Sequence, residues 1–475
     1  VVLVPQEENK KMAIEQHDAL VHSSLFRAYD IRGIVGKTLT EESVYAIGRV
    51  LGSLALENGD RSMAVGRDGR LSGLQLMNAL CEGILTTGCD VVDLGRIPTP
   101  LLYYATYVFD THSGVMLTGS HNPPEYNGLK MMINGKTLAE KEISDIYNRI
   151  VENKVLSGKG QLNTLEMIER YITHVVRDIK LMRPLKIVID CGNGVAGEVA
   201  PELFRRLGCE VIELFCDIDG SFPNHHPDPS QIENLQDLIC KVKETKADIG
   251  LAFDGDGDRL GVVTDKDEII WPDRQLMLYA ADVLAKRPGA KIIYDVKCTH
   301  HLEKFIRDHG GEPIMWKTGH SLIKAKLTET QAVLAGEMSG HIFFKDQWYG
   351  FDDALYAGAR LLKILSEKKQ SSSELFNIIP NSVNTPELKI KIDDDEKFEF
   401  MKKLINQANF ASAEHITIDG LRVNFSDGWG LVRLSNTTPC LVLRFEAEDE
   451  KALVKIQGLF RDLLLAVKPA LIIPF

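Results

Sequence analysis

The sequence predicts an α/β protein: three similar α/β domains around a cleft, followed by a smaller C-terminal α+β domain. Three observations carry this. A strand–helix–strand–strand unit recurs three times between Met63 and Ala335, and the pattern changes from about Val383 onward. The 475 residues also exceed what one hydrophobic core normally serves, so three or four domains are expected.

Each unit opens on a short apolar strand ending in Asp: Met63–Asp68, Ile187–Asp190 and Ile292–Asp295. A helical pattern comes next, then a Gly and a second strand in Gly88–Leu94, Gly208–Leu214 and Gly310–Met315. A third apolar strand closes each unit, in Gly114–Leu117, Ile249–Phe253 and Ala332–Ala335. Short apolar strands alternating with helices read as parallel βαβ units with both sheet faces covered. The last segment ends with Ser435-Asn-Thr-Thr438 before the strand Leu441–Phe445, and Pro380 with polar Asn381–Asn384 reads as a hinge ahead of it. Residues 1–24, which begin at Val, read as an extension or a cloning remnant. The domains expected after them are 25–165, 166–268, 269–382 and 383–475.

Composition excludes several classes. A formal net charge of −12 disfavours nonspecific nucleic-acid binding, so an anionic substrate would need Arg and Lys gathered locally. Cys81, Cys89, Cys191, Cys209, Cys216, Cys240, Cys298 and Cys440 include no CxxC pair, which argues against a zinc ribbon or a disulfide framework and for a reducing cytoplasm. No apolar run approaches the roughly 20 residues of a membrane helix, and no secretory signal is evident.

The chemistry lies in the loop after each third strand, because ligands in open α/β sheets sit beyond the carboxyl ends of strands. Three units packed around one cleft would bring these loops together. The second loop, Asp254-Gly-Asp-Gly-Asp-Arg259, turns three carboxylates inward, and hard oxygen ligands suit Mg²⁺. Arg259 stands where an EF-hand needs Gly, so that reading fails. A surface acidic turn is the plain alternative, but three carboxylates without a cation repel one another. In the first loop Ser120 sits between Gly119 and His121, ahead of Pro123-Pro124, and alone it could be an ordinary turn serine. It lacks the G-x-S-x-G spacing of a hydrolase elbow. The third loop offers Glu337, Ser339 and His341, suited to vicinal sugar hydroxyls. Arg433-Leu-Ser-Asn-Thr-Thr438 suits a phosphate, or is a polar turn. Gly36-Lys-Thr38 and Gly135-Lys-Thr137 lack the leading Gly of a P-loop. The neighbouring histidines His225-His226 and His300-His301 are expected to point apart rather than chelate together.

Taken together and in this order, Thr118-Gly-Ser-His-Asn-Pro123, Asp254-Gly-Asp-Gly-Asp-Arg259, Gly336-Glu-Met-Ser-Gly-His341 and Ser435-Asn-Thr-Thr438 resemble the α-D-phosphohexomutase superfamily. The likeness runs from Phe26-Arg-Ala-Tyr-Asp-Ile-Arg-Gly33 to the C-terminus and is nearest the bacterial phosphomannomutase/phosphoglucomutase branch, with Met338 favouring mannose and glucose over glucosamine. The resemblance implies mixed sheets in the three similar domains. It names the four domains as phosphoserine, metal-binding, sugar-binding and phosphate-binding.

Residue by residue, the resemblance implies that Ser120 is the phosphoserine and, with Asp254, Asp256 and Asp258, a ligand of Mg²⁺. Arg259 closes the metal loop, and Arg32, His121, Lys130 and His341 join Ser120 in catalysis, Lys130 and His341 being the candidates for proton transfer. Glu337 and Ser339 would contact the sugar 3- and 4-hydroxyls. Arg433, Ser435, Asn436 and Thr437 would clamp the non-reacting phosphate, and Tyr29, Lys297 and His320 would line the cleft. The implied reaction is reversible phosphoryl transfer between the 1- and 6-positions of mannose and glucose phosphates, through a hexose 1,6-bisphosphate that also serves as activator. The expected enzyme is a cytoplasmic monomer that binds phosphosugars and neither nucleic acid nor membrane. Two rivals remain: a Mg²⁺ phosphatase with Asp254 as nucleophile and Asp256 as acid, and a metal-dependent phosphosugar-binding protein.

Overall fold

A computed structural model describes residues 21–411, 413–435 and 438–475; residues 1–20, and with them most of the expected extension, lie outside it. The chain divides into two units. The first takes the described residues up to Trp271 together with Ser339–Leu375, and the second takes Pro272–Met338 and Phe376–Phe475. The segment Pro380–Asn384 therefore lies inside the second unit and not between the units.

The first repeat forms a sheet in the order Ile31–Ile34, Tyr126–Ile133, Ser113–Leu117, Ser62–Arg67, Asp90–Arg96, Leu162–Thr164, with Lys136–Thr137 also beside Tyr126–Ile133. Ser62–Arg67 pairs parallel with both Asp90–Arg96 and Ser113–Leu117, as the βαβ reading expects. The helix Glu41–Glu57 starts cleanly because Thr40 and Ser43 cap each other: Ser43 N–H donates to Thr40 Oγ1 at 3.2 Å and Thr40 N–H to Ser43 Oγ at 2.9 Å. Its apolar face, with Val44, Ile47 and Leu51, joins Leu80, Ile84, Val65, Val115 and Leu117 in a fully buried core. Each such side chain contributes roughly 1.5–3 kcal/mol, which makes the strand ends a rigid base for the loops.

The second repeat places Ile269–Ile270, Leu260–Thr264, Ile249–Phe253, Lys186–Asp190 and Glu210–Leu214 side by side. Both sheets are mixed, as the resemblance implies, and both add an antiparallel strand to the parallel βαβ unit at the same place. Tyr126–Ile133 runs antiparallel to Ser113–Leu117, and Leu260–Thr264 runs antiparallel to Ile249–Phe253. Leu117 faces Leu129 and Phe253 faces Leu260, so residues 118–125 and 254–259 are the connections of two hairpins. A chain that turns straight back beside its own strand needs no crossover helix, and the loop is held at both ends.

In the second unit Lys291–Asp295 pairs parallel with Glu312–Trp316 and with Leu334–Gly336. The C-terminal segment is an antiparallel sheet ordered Val383–Asn384, Cys440–Ala447, Gly428–Leu434, Leu421–Phe425, Glu414–Ile416, with Leu388–Lys391 also on Cys440–Ala447. Helices Asp394–Gln407 and Glu450–Val467 cover it, and Leu404, Leu443, Phe445, Ile456 and Phe460 are buried between them. Among the described residues no helix is long and apolar enough to cross a membrane.

Candidate active site

The hydroxyl of Ser120 is buried at the tip of the first hairpin. Its backbone has φ 49°, a left-handed conformation a non-glycine residue adopts only when its surroundings impose it. One guanidinium holds one side of the turn. Arg70 Nη1 donates to the carbonyls of Pro123 (2.6 Å) and Tyr126 (2.9 Å), and Nη2 to those of Ser120 (2.7 Å) and Asn122 (2.6 Å). Asp68, the last residue of the first repeated strand pattern, holds the other side. It accepts from the Thr118 hydroxyl at 2.8 Å, from Gly119 N–H at 3.2 Å and from Arg70 N–H at 3.0 Å. Gly119 is required here, because a Cβ would stand 2.4 Å from the Arg70 guanidinium carbon.

The aspartate loop meets this turn at Ser120. A Cβ on Gly255 would fall 2.4 Å from the Ser120 carbonyl oxygen, so only glycine permits the approach. Ser120 Oγ donates to Asp254 Oδ2 at 3.0 Å and lies 3.1 Å from His121 Nδ1. Asp254, Asp256 and Asp258 are all fully buried and offer oxygens within 4.8 Å of one another. Asp254 Oδ1 accepts the N–H groups of Asp258 (3.1 Å) and Arg259 (3.2 Å). Asp256 Oδ2 accepts Thr99 Oγ1 at 2.5 Å and Lys130 Nζ at 2.6 Å, while Asp256 Oδ1 is buried with no hydrogen bond among the described residues. Three buried carboxylates with an orphaned oxygen fit a hard divalent cation such as Mg²⁺.

Charge in this pocket is finely divided. Lys130 Nζ also reaches Asp258 Oδ2 at 2.5 Å, and His341 Nε2 lies 3.3 Å from Asp258 Oδ1. Burial alone would raise Asp258, but Lys130 and His341 outweigh it and hold the carboxyl well below its usual range. Asp254 goes the other way: burial, then repulsion from Asp258 and Asp256, lifts it well above. Burial and the neighbouring Arg259, Arg32 and Lys130 push His121 well below the ordinary histidine value, so its imidazole is neutral beside the Ser120 hydroxyl. Arg259 Nε faces His341 Nε2 at 3.3 Å, and Ser339 Oγ sits 3.0 Å from His341 Nδ1. Arg32 pairs with Asp30 at 2.6 Å and donates to Asn122 Oδ1 at 2.6 Å. The first unit thus gathers Arg32, Ser120, His121, Lys130, the aspartate triad, Arg259, Ser339 and His341, with Tyr29 beside the Asp30–Arg32 segment in sequence.

Glu337, Lys297, His320 and Arg433 belong to the second unit, all buried. Glu337 Oε1 accepts Gly319 N–H at 2.5 Å, and Lys297 pairs with Glu387 at 2.5 Å. Partial desolvation would raise Glu387, whose side chain is 33% exposed, but attraction to Lys297 outweighs it and holds the carboxyl down to about 2. Arg433 Nε donates to Asp419 at 2.9 Å, and Asp419 also accepts Thr318 N–H at 3.0 Å. Ser435 Oγ accepts Thr438 N–H at 3.1 Å; Asn436 and Thr437, between them, lie outside the described residues.

Sequence reasoning missed Arg70, Thr99, Glu387 and Asp419, which look ordinary until the fold places them. It also missed Asp352, which with Asp258 and His341 offers ligand atoms within 4.8 Å. The aspartates ending the repeated strands had a signal that went unused. Asp68 organises the Ser120 loop; Asp190 accepts Gly192 N–H (2.9 Å) and faces His225 Nε2 (3.1 Å); Asp295 accepts the Thr318 hydroxyl (2.8 Å) and Met338 N–H (3.3 Å). A repeated strand-final Asp therefore marks the residue that shapes the neighbouring loops.

Four family models match along the chain, described as phosphoglucomutase/phosphomannomutase α/β/α domains I (residues 23–156), II (169–267) and III (271–382) and the C-terminal domain (387–463). A phosphomannomutase/phosphoglucomutase of Pseudomonas putida is 56% identical over 457 residues, covering 96% of this chain and 99% of its own. A phosphoglucomutase of Neisseria meningitidis is 53% identical over 450 residues, 94% of this chain and 98% of its own. The crystal structure of a phosphoglucomutase/phosphomannomutase family protein from Burkholderia thailandensis superposes with a TM-score of 0.92 at 54% identity, covering 96% of this chain and 100% of that one.

Proposed function

The chain belongs to the phosphoglucomutase/phosphomannomutase family, and on that premise we propose that it moves a phosphoryl group between the 1- and 6-positions of mannose and glucose phosphates by way of Ser120. One observation carries the assignment to Ser120. Its hydroxyl is buried, held in a left-handed turn, and 3.0 Å from a carboxylate of the aspartate triad.

Phosphorylated Ser120 donates its phosphoryl group to the free hydroxyl of a hexose 1- or 6-phosphate. The Ser120 O–P bond breaks as the sugar O–P bond forms, and the hydroxyl proton passes to a base, for which His341 is our candidate. The product is a hexose 1,6-bisphosphate, whose other phosphoryl group then returns to Ser120. Mg²⁺ bound by Asp254, Asp256, Asp258 and the Ser120 phosphate would supply positive charge to the phosphoryl oxygens. Thr99 and Lys130 fix the triad's orientation, and the amides of Asp258 and Arg259 fix Asp254. Arg32 and Arg259 add positive charge where a transferring phosphoryl group needs it. Glu337 and Ser339 read the sugar hydroxyls. Arg433, Ser435, Asn436 and Thr437 take the non-reacting phosphate, with Tyr29, Lys297 and His320 as further contacts. A clamp for either phosphate accepts both orientations of the bisphosphate, and glucose and mannose differ only at C2. We read the enzyme as a cytoplasmic monomer activated by hexose 1,6-bisphosphate.

The test is conversion of glucose 1-phosphate and mannose 1-phosphate to the 6-phosphates, with Mg²⁺ and a trace of glucose 1,6-bisphosphate, in the parent and in Ser120→Ala. Isomerisation of both sugars that collapses in the variant is expected. Release of free phosphate that survives the substitution would overturn the reading in favour of an aspartyl phosphatase.

A further inference from the structure

Histidines adjacent in sequence diverge on a strand, where side chains alternate, but here they do not. His300 and His301 stand at the start of the helix His301–Asp308, and their rings lie 4.1 Å apart, tilted by 38°. His300 Nδ1 is 2.7 Å from Oε1 of Glu446, in the strand Cys440–Ala447. One nitrogen from each ring and a Glu446 oxygen lie within 4.8 Å of one another. All three residues belong to the second unit, and none is among those proposed to carry phosphoryl transfer.

We propose that His300, His301 and Glu446 form a binding site for a zinc-class divalent metal, distinct from the aspartate triad. Four properties support it. The ligand set is two imidazoles and a carboxylate, which suits Zn²⁺, whereas Mg²⁺ takes oxygen ligands almost exclusively. Ligands of a tetrahedral zinc ion stand roughly 3.3 Å apart, and the three ligand atoms here already lie within 4.8 Å of one another. His301 Nε2 is buried with no hydrogen-bond partner among the described residues, an unmet need that a metal would satisfy. The carboxylate is already prepared: Glu446 is 1% exposed, its Oε1 accepts the Thr299 hydroxyl at 2.6 Å, and such outer contacts orient metal ligands. The His300 side chain remains 35% exposed, which leaves an entry path and room for water as a fourth ligand.

The site has a structural consequence. Lys297 lies three residues before His300, in a loop that Arg422 and Arg444 hold by its carbonyl oxygens. A metal shared by His300, His301 and Glu446 ties the end of that loop to the last strand.

The full-length protein, stripped with chelator, would be dialysed against Zn²⁺ in a large excess of Mg²⁺. Bound zinc would be counted by mass spectrometry, and affinity measured by competition with a zinc-binding dye. The parent is expected to hold one zinc ion per chain that His301→Ala binds at least tenfold more weakly, with unchanged circular dichroism. His300→Ala, at a partly exposed position, should behave alike and decides the matter should His301→Ala fold poorly. Zinc stoichiometry and affinity unaltered by these substitutions, or no zinc bound by the parent, would overturn the proposal.

Discussion

Three carbonyl oxygens of the Ser120 loop and that of Tyr126, where the next strand begins, converge on the Arg70 guanidinium, which also stacks 5.2 Å from the Phe222 ring. Replacing it by Ala strands the buried Asp68 carboxylate and releases the left-handed turn at Ser120. Arg70→Ala should cost roughly 3–5 kcal/mol of stability, measured by urea unfolding. Arg70→Lys should recover only part, since an ammonium cannot reproduce the planar fork. Thr99 acts on the other loop through its 2.5 Å hydrogen bond to Asp256. Thr99→Val should raise the Mg²⁺ concentration for half-maximal activity by roughly 10–100-fold, a shift that saturating Mg²⁺ reverses. Unchanged Mg²⁺ dependence would remove Thr99 from this role. Neither residue was legible in sequence, because a lone Arg or Thr carries no signal until folding brings carbonyls or a carboxylate to it. Ser120 and the triad were legible because glycines and prolines announce the turns that present them.

The hairpins explain why the two loops meet and why the βαβ reading was incomplete. Periodicity identified the strands Ser113–Leu117 and Ile249–Phe253 but could not give the direction of their partners Tyr126–Ile133 and Leu260–Thr264, since side-chain alternation is the same whichever way a neighbouring strand runs. The helix Ala354–Ser366 offers a test at the same scale. Its N-cap, Asp353, accepts from the Tyr356 amide (2.9 Å), the Tyr171 hydroxyl (2.9 Å) and Trp348 Nε1 (3.1 Å). Burial nevertheless raises its carboxyl from 3.8 to about 7. The folded state therefore binds more protons than the unfolded state between about 4 and 7, so stability falls as pH rises through that window and levels off above it. Asp353→Asn keeps a capping oxygen but cannot ionise. Its stability relative to the parent should improve from pH 4.5 to pH 8 by roughly 2–4 kcal/mol. A difference between the two proteins that stays flat across that range, in thermal or urea unfolding, would show the cap to be ionised throughout.

In the second unit, the segment that follows the strand Lys291–Asp295 and the C-terminal sheet are interlocked through Trp429. Val296 packs on it, and Arg422 lies 3.8 Å over its ring while donating to the carbonyls of Val296 (2.6 Å) and Cys298 (2.8 Å). Trp429→Ala should cost roughly 3–5 kcal/mol. Hydrogen exchange should then speed up together in Lys291–Asp295 and Leu421–Phe425; loss confined to one of them would show the two segments to be independent. The sequence showed the repeat, the order of the loops and the change of pattern near Val383. It did not show that the segments on either side of Pro380 share one unit, because the arginines and tryptophan responsible lie far along the chain from the carbonyls they hold. The central claim concerns one oxygen, Ser120 Oγ, and phosphoryl labelling tests it most directly. The protein would be incubated with glucose 1,6-bisphosphate carrying labelled phosphate, digested, and the labelled peptide sequenced. The account predicts acid-stable label on the peptide containing Ser120, discharged by adding mannose 1-phosphate. Hydroxylamine-labile label on the peptide containing Asp254 would contradict it.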